Sequence, residues 1–144
     1  MHISLETDYA VRIVDCLARS GQRMGAKAIS EKTCVTLRFS LKILRKLVAS
    51  GIVCSFKGAR GGYEIGKELN QISIHDIFET IEGPYILNRC MLSEHCCTRV
   101  PDKECPYHNL YETLSLEMRA KLKAVTMADI MAIYAGRAEQ KALR

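Results

Sequence analysis

The stretch TLRFSLKILRKLVASGIVCSFKGARGGY, residues 36–63, decides the fold. Its first half predicts a helix over 37–50. Thr36 is well placed as the N-cap, and Gly51 closes the helix. On a helical wheel Leu37, Leu41, Ile43, Leu44, Leu47 and Val48 take one side. Arg38, Lys42 and Arg45, with Lys46 nearby, take the other. The second half predicts two short strands, 52–56 and 63–65, joined by the glycine-rich basic turn KGARGG. A helix with an apolar back and a basic front, followed by a hairpin, reads as a recognition helix and its wing. Glycines let the wing tip turn tightly and approach another backbone closely.

Upstream, Tyr9, Ala10, Ile13, Val14 and Leu17 recur at helical spacing, which predicts a helix over 5–20 with Gly21 as its stop signal. A second short helix, 26–33, breaks at 34–36. Helix, short turn and basic helix form a helix-turn-helix pattern. Downstream, Ser73 and Asp76 open a capping-box-like helix over 73–82, with Ile74, Ile77, Phe78 and Ile81 facing inward. Gly83-Pro84 ends it, and His2 and His75 read as surface or packing histidines. The expected architecture is mainly α with a small β-hairpin wing: a winged helix-turn-helix followed by a long C-terminal dimerisation helix.

Charge is distributed unevenly. The net charge is +5, yet residues 21–63 carry nine Lys and Arg against Glu31 alone. A basic segment in an otherwise neutral-to-acidic chain suits a polyanion, nucleic acid first. The candidate DNA contacts are Thr36, Arg38, Phe39, Lys42 and Arg45 on the helix, with Lys57, Arg60, Gly61 and Gly62 on the wing.

Residues 90–108, CMLSEHCCTRVPDKECPYH, hold four of the seven cysteines and two of the four histidines. The segment has neither helix nor strand periodicity, and a long irregular loop of this kind is usually functional. Thiolates at this density suit zinc, copper(I) or an iron–sulfur cluster. No C-x2-C pair is present. The wide gaps from Cys90 to the Cys96–Cys97 doublet and on to Cys105 fit a cluster better than one tetrahedral ion. Pro106 follows Cys105, so Cys105 is expected at a helix N-terminus, where the dipole favours thiolate.

A long helix is expected over 106–124, with Tyr111, Leu114, Met118, Leu122 and Val125 as an apolar stripe. A two-fold dimer contact would cover it. Thr126 to Asp129 is expected to cap a short last helix, ahead of a polar, frayed tail. The expected division is residues 1–83 for the reading head, 84–105 for the cysteine-rich loop, 106–136 for dimerisation and 137–144 for the tail. An odd cysteine count without a signal peptide or transmembrane run leads us to expect free thiols in a reducing cytoplasm. Neither a membrane partner nor a small-molecule substrate is expected. Paired catalytic carboxylates, a nucleophile elbow and a phosphate loop are all missing from the motifs, so no enzyme is expected.

Taken together, ISLETDYAVR, the helix-plus-wing stretch, ISIHDIFETIEGP, the three-cysteine loop and TMADI resemble the IscR/NsrR-type family of iron–sulfur winged-helix transcription regulators. That resemblance covers nearly the whole chain and implies a cytoplasmic homodimer acting on a double-stranded operator, most often as a repressor. It implies a [2Fe-2S] or [4Fe-4S] cluster that senses iron, redox state or nitric oxide. Cys90 matches the first cluster cysteine, Cys96 or Cys97 the second, and Cys105 the third. His108 matches the fourth ligand of IscR-like members, and Asp8 that of NsrR-like members. Leu41 stands near an acidic recognition-helix position of IscR, so the operator does not carry over. The alternatives are a winged-helix regulator using zinc, a thiol switch or a protein partner of cysteine metabolism, and, more remotely, an electron-transfer or cluster-delivery protein.

Overall fold

The computed structural model describes residues 3–92 and 105–142, with 138–142 by backbone alone. Cys96 and Cys97 lie outside the described residues. The elements are α1 (Leu5–Ser20), α2 (Ala26–Thr33), α3 (Leu37–Ala49), β1 (Val53–Phe56), β2 (Gly62–Ile65), α4 (Ile74–Glu82), α5 (Pro106–Lys123) and α6 (Met127–Ala142). Single 3₁₀ turns occur at Leu69–Gln71 and Arg89–Met91.

Local chemistry sets most of the boundaries. Ser4 caps α1 by accepting the Thr7 N–H, and Gly21 ends it in the left-handed region. Thr36 caps α3 by accepting the Phe39 N–H at 3.4 Å. Ser50 closes α3, and Gly51 follows at φ 73°. The α2–α3 turn passes through Cys34 at φ 55°, a conformation uncommon outside glycine. It is held by the Ser30 hydroxyl, which donates to the Val35 carbonyl at 2.7 Å. Ser73 and Asp76 form the reciprocal capping box of α4.

The core joins α1 (Ala10, Ile13, Val14, Leu17) to α3 (Ile43, Leu44, Leu47), with Ile29, Ile52, Val53, Ile72, Ile77 and Met127 filling in around them. Two features depart from the wheel. Leu37 is 43% exposed, while Ser40 is fully buried. The buried hydroxyl faces the Val35 carbonyl at 3.4 Å, so the inward edge of α3 is centred nearer Ser40 than its apolar residues suggest.

β1 and β2 pair antiparallel, Val53 with Ile65 through Phe56 with Gly62. Met24 forms an isolated antiparallel bridge to β2, exchanging backbone hydrogen bonds with Tyr63 at 2.9 and 2.8 Å. A side chain at Gly62 would press within 2.7 Å of the Met24 carbonyl, and one at Gly61 within 2.6 Å of the Phe56 carbonyl. Both glycines are therefore required by close backbone approach, whatever else they contact.

The last helix is longer than expected. Thr126 and Asp129 cap it reciprocally, and α6 runs to Ala142, through most of the residues expected to fray. It is tied back to the reading head. Ile74 N–H donates to Val125 O at 2.9 Å, Met127 N–H donates to Ile72 O at 2.8 Å, and Met127 is 1% exposed. On α5 the buried Ser115 faces Met91, and Arg119 donates twice to the Tyr85 carbonyl, at 3.1 and 2.8 Å. Tyr111 and Leu122 of the expected stripe are half-buried within the chain. Leu114, Met118 and Val125 remain exposed, joined by Tyr107 and Leu110.

Because Met127 locks α6 into the core, Met127→Ala should cost about 2–5 kcal/mol of unfolding free energy. Chemical denaturation followed by circular dichroism measures this. A loss within experimental error would mean that α6 docks without contributing to the core.

Candidate nucleic-acid interface and thiol loop

The outer face of α3 carries Arg38, Lys42 and Arg45 at spacings of four and three, so they line one side of the helix. Arg38 and Arg45 are exposed, and their side chains have no ionic partner among the described residues. The same holds for Lys57 and Arg60 at the wing tip, where the Gly61 N–H bonds the Gly58 carbonyl and closes the turn. Phe39 stands beside them, 41% exposed, with its ring edge-on to Tyr9 at 6.0 Å.

Lys42 and Lys46 differ from the others. Glu6 of α1 bridges both, at 2.9 Å to Lys42 and 2.8 Å to Lys46. Lys46 also donates to the Ile81 carbonyl at the end of α4. These lysines hold Glu6 below its usual carboxylate value, the Lys46 bond contributing most. Close by, Glu82 of α4 accepts from the hydroxyls of Ser4 and Thr7, which hold it ionised in the same way. Lys46 is thus a structural tie between helices rather than part of the open basic face.

Arg23 has a structural role at the wing that charge counting could not single out. Its guanidinium lies 3.5 Å from the Phe56 ring centroid, pairs with Glu64 at 3.1 Å and donates to the Arg60 carbonyl at 3.3 Å. It braces the wing from behind. Its place just before Met24 would have been informative only with the Met24–Tyr63 pairing known.

On the thiol side, Cys105 is the N-cap of α5, 7% exposed, with Pro106 at the first helical position. His108 lies in the first turn of the same helix. Cys90 sits half-buried in the 3₁₀ turn capped by Asn88. Asp8, on α1, pairs with Arg12 at 2.8 Å. Among the described residues no three His, Cys, Asp or Glu side chains gather into a metal-binding group. Of the four cysteines in residues 90–108, Cys90 and Cys105 lie among the described residues. Cys16, Cys34 and Cys54 are free and belong to the reading head.

The model of the Rrf2 family, described as an iron-dependent transcriptional regulator, matches residues 3–133. The chain belongs to this family. A Haemophilus influenzae protein assigned as an HTH-type transcriptional regulator is 30% identical over 133 residues, 91% of this chain and 87% of its own length. Among solved structures, T. potens IscR superposes with a TM-score of 0.75 at 20% identity, covering 93% of this chain and 88% of that one. CymR of B. subtilis, the global cysteine regulator, gives 0.73 at 24% identity, covering 92% and 98%. The winged-helix fold of this Rrf2 protein is thereby shared with regulators of two kinds. It is an HTH-type transcription regulator, which sets the basic α3 and the wing in a DNA-binding frame. No helix among the described residues is long and apolar enough to cross a membrane.

The Glu6 bridge makes a pH prediction for this Rrf2 protein. Glu6 is held below its ordinary value of 4.5 in the folded state. Its contribution to stability is therefore fully present above that value and is lost as pH falls through the lower, folded value. Urea denaturation of the parent should show this loss as pH falls below the ordinary Glu value of 4.5. In Glu6→Gln that part of the acid-side decline should be missing. Parallel acid limbs for the two proteins would contradict the bridge.

Proposed function

We propose that this protein is a homodimeric, cytoplasmic transcription regulator, acting as a repressor, whose operator binding is governed by an iron–sulfur cluster. The observation that carries the proposal is Cys105. Its sulfur is buried at the N-cap of α5, directly ahead of Pro106, and α5 presents an open apolar face. Cys90 and one of Cys96 or Cys97 would supply the other thiolates, and His108 or Asp8 the fourth ligand. Tyr107, Leu110, Leu114 and Met118 are between 38% and 54% exposed along α5, and a second copy would cover them. In this reading the cluster is a ligand with different affinity for the DNA-competent and DNA-incompetent dimers. Residues 84–105 form the sensing loop, between a reading head at 1–83 and the dimer helices that follow.

The alternative is a cluster-free regulator, as the CymR-like fold allows. The colour and visible spectrum of anaerobically purified protein separate the two. Cys90→Ala and Cys105→Ala should each abolish iron and sulfide retention, whereas only one of Cys96→Ala and Cys97→Ala should. Replacing the true fourth ligand, His108 or Asp8, should leave a cluster that forms but is short-lived in oxygen. Full iron and sulfide content in Cys105→Ala would overturn the cluster assignment.

On DNA, Arg38 and Lys42 lie near the start of α3, where helix-turn-helix proteins reach base edges. Arg45 and Lys57 are assigned to phosphates, and Arg60 to phosphate or minor groove. Lys57→Ala should weaken specific and random DNA alike and flatten the salt slope by about 0.9. Arg38→Ala should lower the specific-to-random ratio, a good base contact being worth roughly 1–3 kcal/mol. Glu6→Gln releases Lys42 and should raise affinity for the operator more than for random DNA. Salt titrations on a selected operator and a scrambled fragment read all three. Equal losses on both DNAs would move Arg38 to the phosphate class.

A further inference from the structure

A cleft of about 660 Å³ lies between α4, the segment after it, the start of α1 and the inner edge of α5. None of the candidate DNA contacts or cluster ligands lines it, although Pro84 to Leu87 at the start of the 84–105 segment do. Its volume is in the range of small-molecule sites. Its walls are mostly apolar, with Phe78, Ile86 and Leu122 among them.

Polar side chains interrupt these walls, the ionisable His75, Glu79 and Glu82 among them. His75 is 3% exposed, and neither ring nitrogen has a hydrogen-bond partner among the described residues. Its Nδ1 is 3.7 Å from the Glu79 carboxylate and 4.0 Å from that of Asp76. A buried polar ring left without partners is uncommon, and water or a ligand usually completes its bonding. Glu79 is half-exposed at the same wall. Glu82 also lines the cleft; its Oε1 accepts from Ser4 and Thr7, and its Oε2 has no donor among the described residues. Among the described residues no lysine or arginine lines the cleft, and Lys46 lies close enough to Glu82 to help keep it ionised. Two carboxylates within apolar walls select a cation with an apolar body.

We infer that the cleft bounded by His75, Glu79, Glu82 and Leu122 is a binding site for a small apolar amine. The ammonium sits at Glu79 and Glu82, a donor reaches His75, and the apolar body lies between α4 and α5. Because α4 belongs to the reading head and α5 is the helix proposed for dimerisation, an occupant between them touches both. The site needs no iron, so it stands or falls apart from the cluster.

The probe is 2-phenylethylamine, with 2-phenylethanol and 3-phenylpropionate as matched neutral and anionic controls. Calorimetry and ¹H–¹⁵N shift mapping are run on the dimer with and without iron. The amine should bind saturably with Kd below about 1 mM, and both controls about tenfold or more weaker. Shifts should centre on His75, Glu79 and Leu122. Glu79→Gln combined with Glu82→Gln should weaken the amine about fivefold or more and leave the alcohol unchanged. His75→Phe removes both ring nitrogens and should weaken the amine about threefold or more; should it fail to fold, the carboxylate pair carries the test. No saturable binding of the amine, equal binding of the three probes, or unchanged amine binding in the double variant would each overturn the inference.

Discussion

The structure depends on one packing contact, the apolar back of α3 set against α1. Ile43, Leu44 and Leu47 meet Ala10, Ile13, Val14 and Leu17 with almost no exposed surface. Burial of each such side chain is worth about 1.5–3 kcal/mol, so the rotation of α3 about its own axis is fixed strongly. Once its back is buried, Arg38, Lys42 and Arg45 have only the outside to face. The basic surface is thus a by-product of the core, and the DNA-facing side needs no stabilising interaction of its own.

Electrostatic ties refine what packing begins. Glu6 reaches from α1 to two lysines of α3, and Lys46 continues to the end of α4. Each of these charges is partly solvated, so each pair taken alone contributes little. Their value is geometric: they relate the recognition helix to the point where the chain leaves α4 for the thiol loop. Arg23 does the same for the wing, holding Phe56, Glu64 and the Arg60 carbonyl at once. Both devices connect residues far apart in sequence, and both leave the outermost cations open.

α5 is built to a different plan. Its inner edge is held by Ser115 and by the double bond from Arg119 to Tyr85, while much of its apolar surface is exposed. A helix with such a face lowers its free energy by meeting another surface. The buried thiol of Cys105 sits at the start of this helix. Chemistry at that sulfur therefore bears directly on the helix N-terminus, and through α5 on whatever covers its open face.

The sequence by itself determined the helices of the reading head, the wing, the caps at Ser73 and Thr126, and the position of Cys105 ahead of α5. These rest on local physics: periodicity, side-chain caps, glycine turns and the fixed φ of proline, all readable within a few residues. Membership of the family was legible for the same reason, since its pieces are short runs at fixed places. The burial of Ser40 in place of Leu37 was not legible, because a wheel gives a direction and the neighbouring Val35 carbonyl decides its centre. The length of α6 was missed because its polar composition said little, whereas its docking through Met127 and Ile72 said much. The partners of Glu6, Arg23 and His75 came only from the tertiary structure. An ion pair across 36 residues, or an imidazole left unpartnered against a cleft, depends on which helices meet and at what angle. That is decided by the packing of the whole core, and no local pattern encodes it.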